Sequence, residues 1–99
     1  MTRPSRRVTP QELRDLFNAG AYYERVASNE LIATIESERP ARTEANEPPG
    51  TLSQMVWYYD ASLQRLALIH QYLRPDGSLG GSGRPDPKRL LLNEEILFC

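Results

Sequence analysis

Between His70 and Arg89 the chain carries four of its six glycines and three of its eight prolines, together with its only histidine and its only lysine. So dense a run of turn formers confines regular elements to either side of it: glycine loses the most backbone freedom on ordering, and proline has no N–H to donate to a helix or a ladder. The tripeptide Arg-Pro-Asp occurs twice in the run, at 74–76 and 84–86. A loop of this length in a small chain is either functional or unstructured. The ordered turn chemistry, Pro75-Asp76-Gly77 above all, favours a built loop.

The rest of the chain has to supply the core. Its 99 residues suffice for one domain that buries roughly 65% of the surface its unfolded form exposes. Residues 1–8 read as a disordered basic arm, with Arg3, Arg6 and Arg7 and no acid. Residues 9–99 read as a single α+β domain. Val8-Thr9-Pro10-Gln11-Glu12-Leu13 is a helix start: Thr9 as N-cap, Pro10 at N1, Glu12 closing a capping box, Val8 and Leu13 as a hydrophobic staple. Leu13, Leu16 and Phe17 share a face, and Gly20 is a natural stop, so a first helix is predicted over 9–19. Tyr23, Ala27, Leu31 and Ile35 step by four, which predicts a second helix over roughly 21–37 and an αα-hairpin. Ser28-Asn29 and the β-branched run Ile32 to Ile35 leave residues 28–36 open between helix and strand.

Residues 38–51, with Pro40, Pro48, Pro49 and Gly50, read as a polar Pro-rich linker or loop. Met55–Tyr59 and Leu63–Leu73 are β-prone and separated by a turn at Asp60-Ala61-Ser62, so they pair as an antiparallel hairpin. Alternation puts Leu66, Leu68, His70 and Tyr72 on one face and Ala67, Ile69, Gln71 and Leu73 on the other. Trp57 and Tyr59 oppose Tyr58 in the same way. Asp86-Pro87 has the grammar of a helix start, predicting a short helical turn over 87–91 before a final strand, Glu95–Cys99. The expected fold is therefore two N-terminal helices followed by a small antiparallel sheet of about three strands, with a long Gly/Pro-rich loop and a short helical turn.

Net charge is −1, which excludes whole-molecule steering toward nucleic acid or membrane. The distribution is less even. Residues 11–50 hold eight of the thirteen acids, whereas 51–92 is mildly basic. Eleven of the twelve cations are arginine, which fits a GC-rich genome or bidentate anion recognition. The lone Cys99 can make neither an internal disulfide nor a metal cluster. No apolar run approaches the ~20 residues that span a bilayer, and no apolar core follows the basic N-terminus. The expectation is a cytoplasmic protein without membrane contact, metal or cofactor.

Four groups of residues carry candidate chemistry. In the glycine-rich arch, Gly80, Gly81 and Gly83 can converge backbone N–H groups as an anion nest, completed by Arg84, Lys88 and Arg89; the spacing is neither a P-loop nor a dinucleotide fingerprint, and a plain strand connection explains it equally. His70 is the one side chain suited to proton transfer near neutral pH; with Arg74, Arg84 and Lys88 it would make a metal-independent ribonuclease site, or it is a strand histidine bonded locally. Trp57, Tyr58, Tyr59 and Tyr72 form a base-stacking platform or core packing. Arg3, Arg6 and Arg7 suit phosphate contacts or a solvated terminus.

The element order of residues 9–99 resembles the core of RelE/ParE-type toxins, small ribosome-dependent ribonucleases or gyrase poisons. The resemblance is of topology, with no shared motif. It implies a cationic site on the sheet, for which Arg65, Arg74, Arg84 and Lys88 are the candidates. It also implies a leading strand and strong basicity, neither of which the sequence displays.

Of these readings the non-enzymatic one is preferred, with catalysis left open. It describes a small interaction or regulatory protein, of phage or mobile-element type, docking a protein or an RNA through its Arg/Gly-rich loop and aromatic sheet face. Trp57, Tyr72, Arg74 and Arg84 are then the expected hot spots. The alternatives are a RelE/ParE-like ribonuclease and a nucleotide- or phosphate-binding module, and the sequence leaves a homodimer open.

Overall fold

The computed structural model describes residues 3–99. Strand dominates it. The elements run β1 (Ser5–Arg7), α1 (Pro10–Ala19), α2 (Tyr22–Ala27), β2 (Ile32–Pro40), a 3-10 turn η1 (Thr43–Ala45), β3 (Leu52–Tyr59), β4 (Arg65–Leu73), β5 (Asp86–Leu92) and β6 (Glu95–Phe98). The six strands form one mixed sheet in the order β1-β6-β5-β4-β3-β2, antiparallel throughout except for the parallel pair β1 and β6. The expectation of about three antiparallel strands behind two helices is thereby overturned.

Three segments account for the difference. Residues 5–7, expected within a disordered arm, are β1. They carry no apolar signal because a three-residue edge strand buries nothing, and backbone bonds hold it: Val8 N–H donates to Phe98 O at 2.8 Å and Ile96 N–H to Pro4 O at 2.9 Å. A strand therefore precedes the helices. The predicted second helix stops at Ala27, and Ile32–Pro40 is strand instead. Asn29, at φ 67°, turns the chain. The spacing of four that suggests a helix also keeps residues on one face of a strand, since four is twice the strand period. Finally, Asp86–Leu92 is β5 rather than a helical turn. Pro87 lies beside a register shift opposite Leu68 and Ile69, where a missing N–H is tolerated.

The expected linker is ordered too. Glu38, Arg39 and Pro40 complete β2, and Ala41 N–H donates to Thr51 O at 2.9 Å across the connection. Helix α1 begins as predicted, with Glu12 N–H donating to Thr9 Oγ1 at 3.1 Å and Val8 and Leu13 buried. Gly20 is its C-cap at φ −82°, and the left-handed conformation falls on Ala21 at φ 54°. Gly20 is still required, because a Cβ there would overlap the Tyr22 ring.

Both helices cover the same sheet face. Leu13, Phe17 and Tyr22 pack on Val56, Tyr58, Ala67, Ile69, Leu90 and Leu97 to make the core, with the Phe17 and Tyr58 rings 6.1 Å apart. The alternation read in the hairpin holds from Ala67 onward but breaks at a register shift between Tyr58 and Tyr59, where Leu66 packs against the core and Arg65 pairs with Tyr59 and lies over the Trp57 ring. Tyr58 is buried on the helix face while Trp57 and Tyr59 are half-exposed on the other. That second face, the open face, carries no α-helix among the described residues. No helix among the described residues is long and apolar enough to cross a membrane.

Candidate nucleic-acid interface

The sheet register places one residue from each strand in a row across the open face: Thr34, Trp57, Leu68, Arg89, Phe98 and Arg7, from β2 through β3, β4, β5 and β6 to β1. At the usual strand spacing six strands span about 24 Å. Cationic and aromatic groups touch along this face. The Arg65 guanidinium lies 4.5 Å from the Trp57 ring centroid and Arg7 5.2 Å from that of Phe98. Leu68 is buried between its neighbours and gives the row an apolar floor. Beside it a groove of ≈ 410 Å³ is lined by Trp57, Arg65, Arg89 and Ile96. The Trp57 indole N–H is buried there without an acceptor among the described residues, an unmet donor that a folded protein ordinarily avoids.

The next register positions are Ser37, Met55, His70 and Asp86, then Arg39, Ser53 and Tyr72. His70 Nε2 lies 2.8 Å from Ser53 Oγ, and its ring meets Tyr72 edge-on at 4.7 Å. Desolvation holds the His70 pKa below its ordinary value; the nearby positive charges of Lys88 and Arg39 add to this, and Asp86 opposes it. The imidazole is therefore neutral at pH 7. It borders a cavity of ≈ 780 Å³ that also takes in Tyr72, Gly80, Gly81, Arg84 and Lys88. On its other side lie Arg39 and Arg42. Of the proposed ribonuclease set, His70 and Lys88 are thus neighbours, and Arg84 lines the same cavity, but Arg74 does not.

The loop arginines are committed elsewhere. Arg74 grips Glu47 with two bonds, Nε to Oε1 at 3.1 Å and Nη2 to Oε2 at 3.3 Å, and the Glu47 side chain is only 5% exposed. This pairing keeps the Arg74 pKa above its ordinary value. Arg84 binds Glu24 at 2.8 Å and Asn18 at 3.2 Å and lies over Tyr23, on the helix side of the molecule. Lys88 pairs with Asp86 at 2.9 Å. The expected anion nest is also largely spent on the loop itself. Gly77 N–H donates to Arg74 O, Gly80 N–H to Tyr72 O and Gly83 N–H to Gly80 O. Gly80 has a further reason: a Cβ there would overlap the Glu47 carboxylate. Asp76 shapes the first turn, its carboxylate accepting from Ser78 Oγ at 2.6 Å and Ser78 N at 2.9 Å; these bonds hold its pKa below the ordinary carboxylate range.

By contrast Arg7, Arg39, Arg42, Arg65 and Arg89 form no ion pair among the described residues. Four of the five stand on the open face and Arg42 borders it. Sequence reasoning selected Arg89, Trp57 and Tyr72, reached Arg65 only through the toxin resemblance, and missed Arg39, Arg42 and Ser53 altogether. Arg39 and Arg42 lay in an apparent linker. A strand reading of 32–40 would have put Arg39 in register with Ser53 and Tyr72. No group of three or more metal-ligating side chains occurs among the described residues. No protein family, characterised protein or solved structure matches this chain.

Proposed function

We propose that this chain is a small macromolecule-binding protein that receives single-stranded RNA on its open sheet face. The observation that carries the reading is the row of unpaired arginines interleaved with aromatic rings. Arg7, Arg65 and Arg89 offer forks for phosphates, and Trp57, Phe98 and Tyr72 offer faces or edges for unstacked bases. The Trp57 N–H, which has no acceptor among the described residues, is a spare donor for an oxygen of the bound strand. The loop contributes as a wall through Gly81, Ser82 and the Glu24-paired Arg84, which line the His70 cavity, and Arg74 takes no part in it.

Fluorescence anisotropy with a labelled octanucleotide tests this. Arg89→Ala should weaken binding roughly fivefold, and Tyr72→Ala roughly tenfold if it stacks one base. Equal affinity of the two variants and the wild type would sink the reading. A DNA octamer and a pulldown with both RNA and protein identified separate the other occupants.

The contact between Ser53 and a neutral His70 favours a second reading, a RelE/ParE-like ribonuclease needing no metal. His70 would take the 2′-hydroxyl proton as that oxygen attacks the phosphorus, Lys88 would stabilise the phosphorane, and the 5′-oxygen would leave with a proton returned by the imidazolium or water, giving a 2′,3′-cyclic phosphate. It predicts RNA cleavage in EDTA that His70→Ala abolishes.

A further inference from the structure

Resting on the reading of the open face as an RNA surface, we propose that the depression between Arg39, Arg42, Ser53 and His70 is a pocket for a terminal phosphate, anchoring one end of the strand. Two adjoining hollows of ≈ 230 Å³ each share Arg39, Ser53 and His70. Each is smaller than a typical ligand pocket, so a phosphate group suits it better than a whole nucleotide. The register brings Arg39, Ser53 and Tyr72 side by side on β2, β3 and β4. Arg42 comes from the short connection after β2, and η1 closes that end with Glu44 and Ala45. A closed end accommodates a strand terminus and obstructs a strand that runs on.

The donors match the charge of an end group. A terminal phosphate loses its second proton near pH 6 and carries about −1.5 to −2 at neutral pH, whereas an internal phosphodiester carries one charge. Arg39 and Arg42 present two guanidinium forks with no carboxylate partner among the described residues, against two acids in the walls, Glu44 and Glu38, the latter accepting from Gln54 Nε2 at 2.6 Å. Ser53 Oγ, 2.8 Å from His70 Nε2, can accept the imidazole N–H and donate its own proton to the anion. The groups facing His70 are Arg39 from β2, Lys88 and Asp86 from β5, and Tyr72 from its own strand; Arg42 and Glu44 line one of the hollows it borders and Glu38 the other. An anion seated among them stabilises imidazolium and raises the pH at which His70 titrates.

The test compares octanucleotides bearing a 5′-phosphate, a 3′-phosphate or two hydroxyl ends, by anisotropy, with the wild type, an Arg39→Ala/Arg42→Ala double variant and an Arg39→Lys/Arg42→Lys variant that keeps charge but loses the forks. One phosphorylated end should bind about tenfold tighter than the hydroxyl-ended strand. The alanine variant should erase that preference and the lysine variant should retain part of it. Equal affinity for all three strands, or a preference that survives in the alanine variant, overturns the pocket while leaving the RNA reading standing. The converse is read by NMR titration of the His70 ring with inorganic phosphate. If no strand binds, yet phosphate raises the His70 titration point in the wild type and not in the alanine variant, the pocket stands and the RNA reading falls. Circular dichroism confirms that the variants fold.

Discussion

His70 shows how little a residue type says without its neighbours. As the only histidine it was a natural candidate for proton transfer, but its expected companions Arg74 and Arg84 came from the same loop, and proximity in sequence misled. Arg74 is turned onto Glu47 and Arg84 onto Glu24; the groups that face His70 arrive from β2, β3 and β5. Its titration is therefore a residue-scale prediction. Burial and the charges of Lys88 and Arg39 depress its pKa, so the folded state binds fewer protons than the unfolded one around the ordinary histidine value of about 6.5. The associated stability is present above that pH and is lost as the pH falls through the ordinary value toward the depressed one. NMR of the ring proton should show a midpoint below the free-histidine value, moving up in Arg39→Ala or Lys88→Ala. A midpoint at the free value in the wild type would show that neither burial nor charge acts on it. Tyr58 responds to the same physics in the opposite sense, its pKa raised by burial beneath the helices, and its hydroxyl stays protonated across the physiological range.

Elements with their own local chemistry were legible, and elements made by pairing were not. Helix α1 announces itself because Thr9, Pro10 and Glu12 satisfy its end locally and Leu13 and Phe17 repeat at helical spacing. Strands β3 and β4 do so through β-branched and aromatic runs whose alternation matches one covered and one open face. Strand β1 exists only because β6 offers it an edge, and its Ser-Arg-Arg sequence has no preference to read. Strand β2 is exposed along its whole length, so no apolar alternation marks it. In β5 the Asp86-Pro87 pair imitates a helix start, and its pairing with β4 overrides that signal. The Gly-rich arch was legible as an ordered loop, but its purpose was not: it clamps the β2–β3 connection. Arg74 reaches Glu47, Gly80 gives that carboxylate room, and Gly50 packs near the Pro75 ring. Gly80→Ala should therefore cost about 1–3 kcal/mol through the displaced carboxylate, seen as a lower midpoint in urea unfolding. Arg74→Ala should also lower the midpoint, by leaving buried Glu47 unpaired. Unchanged midpoints for both would mean that the arch and the connection are not coupled. Gly77→Ala, where a Cβ meets nothing but φ is 89°, is a control that reports turn strain alone.

Over the whole molecule the near-neutral net charge of −1 conceals a division of labour between surfaces. Among the described residues seven ion pairs are made by Arg3, Arg6, Arg14, Arg25, Arg74, Arg84 and Lys88; the arginines left over gather on or beside the open face. A composition average cannot show this, because the pairing that neutralises one set of arginines depends on which acids the fold brings to them. The consequence for the proposed RNA contact is a shallow dependence on salt. A chain with a strongly basic surface would release many counterions, whereas the row arginines Arg7 and Arg89, with Arg65 beside Trp57, neutralise about three phosphates. For single strands the slope of log K against log salt is about −0.7 per phosphate, so a hydroxyl-ended octanucleotide should give about −2. Arg89→Ala should reduce it to about −1.4 by the same relation, whereas Tyr72→Ala should weaken binding at every salt concentration with the slope unchanged, since stacking releases no ions. Anisotropy titrations across a range of potassium chloride measure both. A slope near zero in the wild type would place the contact on uncharged surface, and a slope that Arg89→Ala leaves intact would take the phosphates off this row. Parallel loss of slope in Arg84→Ala would relocate the contact to the helix side of the molecule.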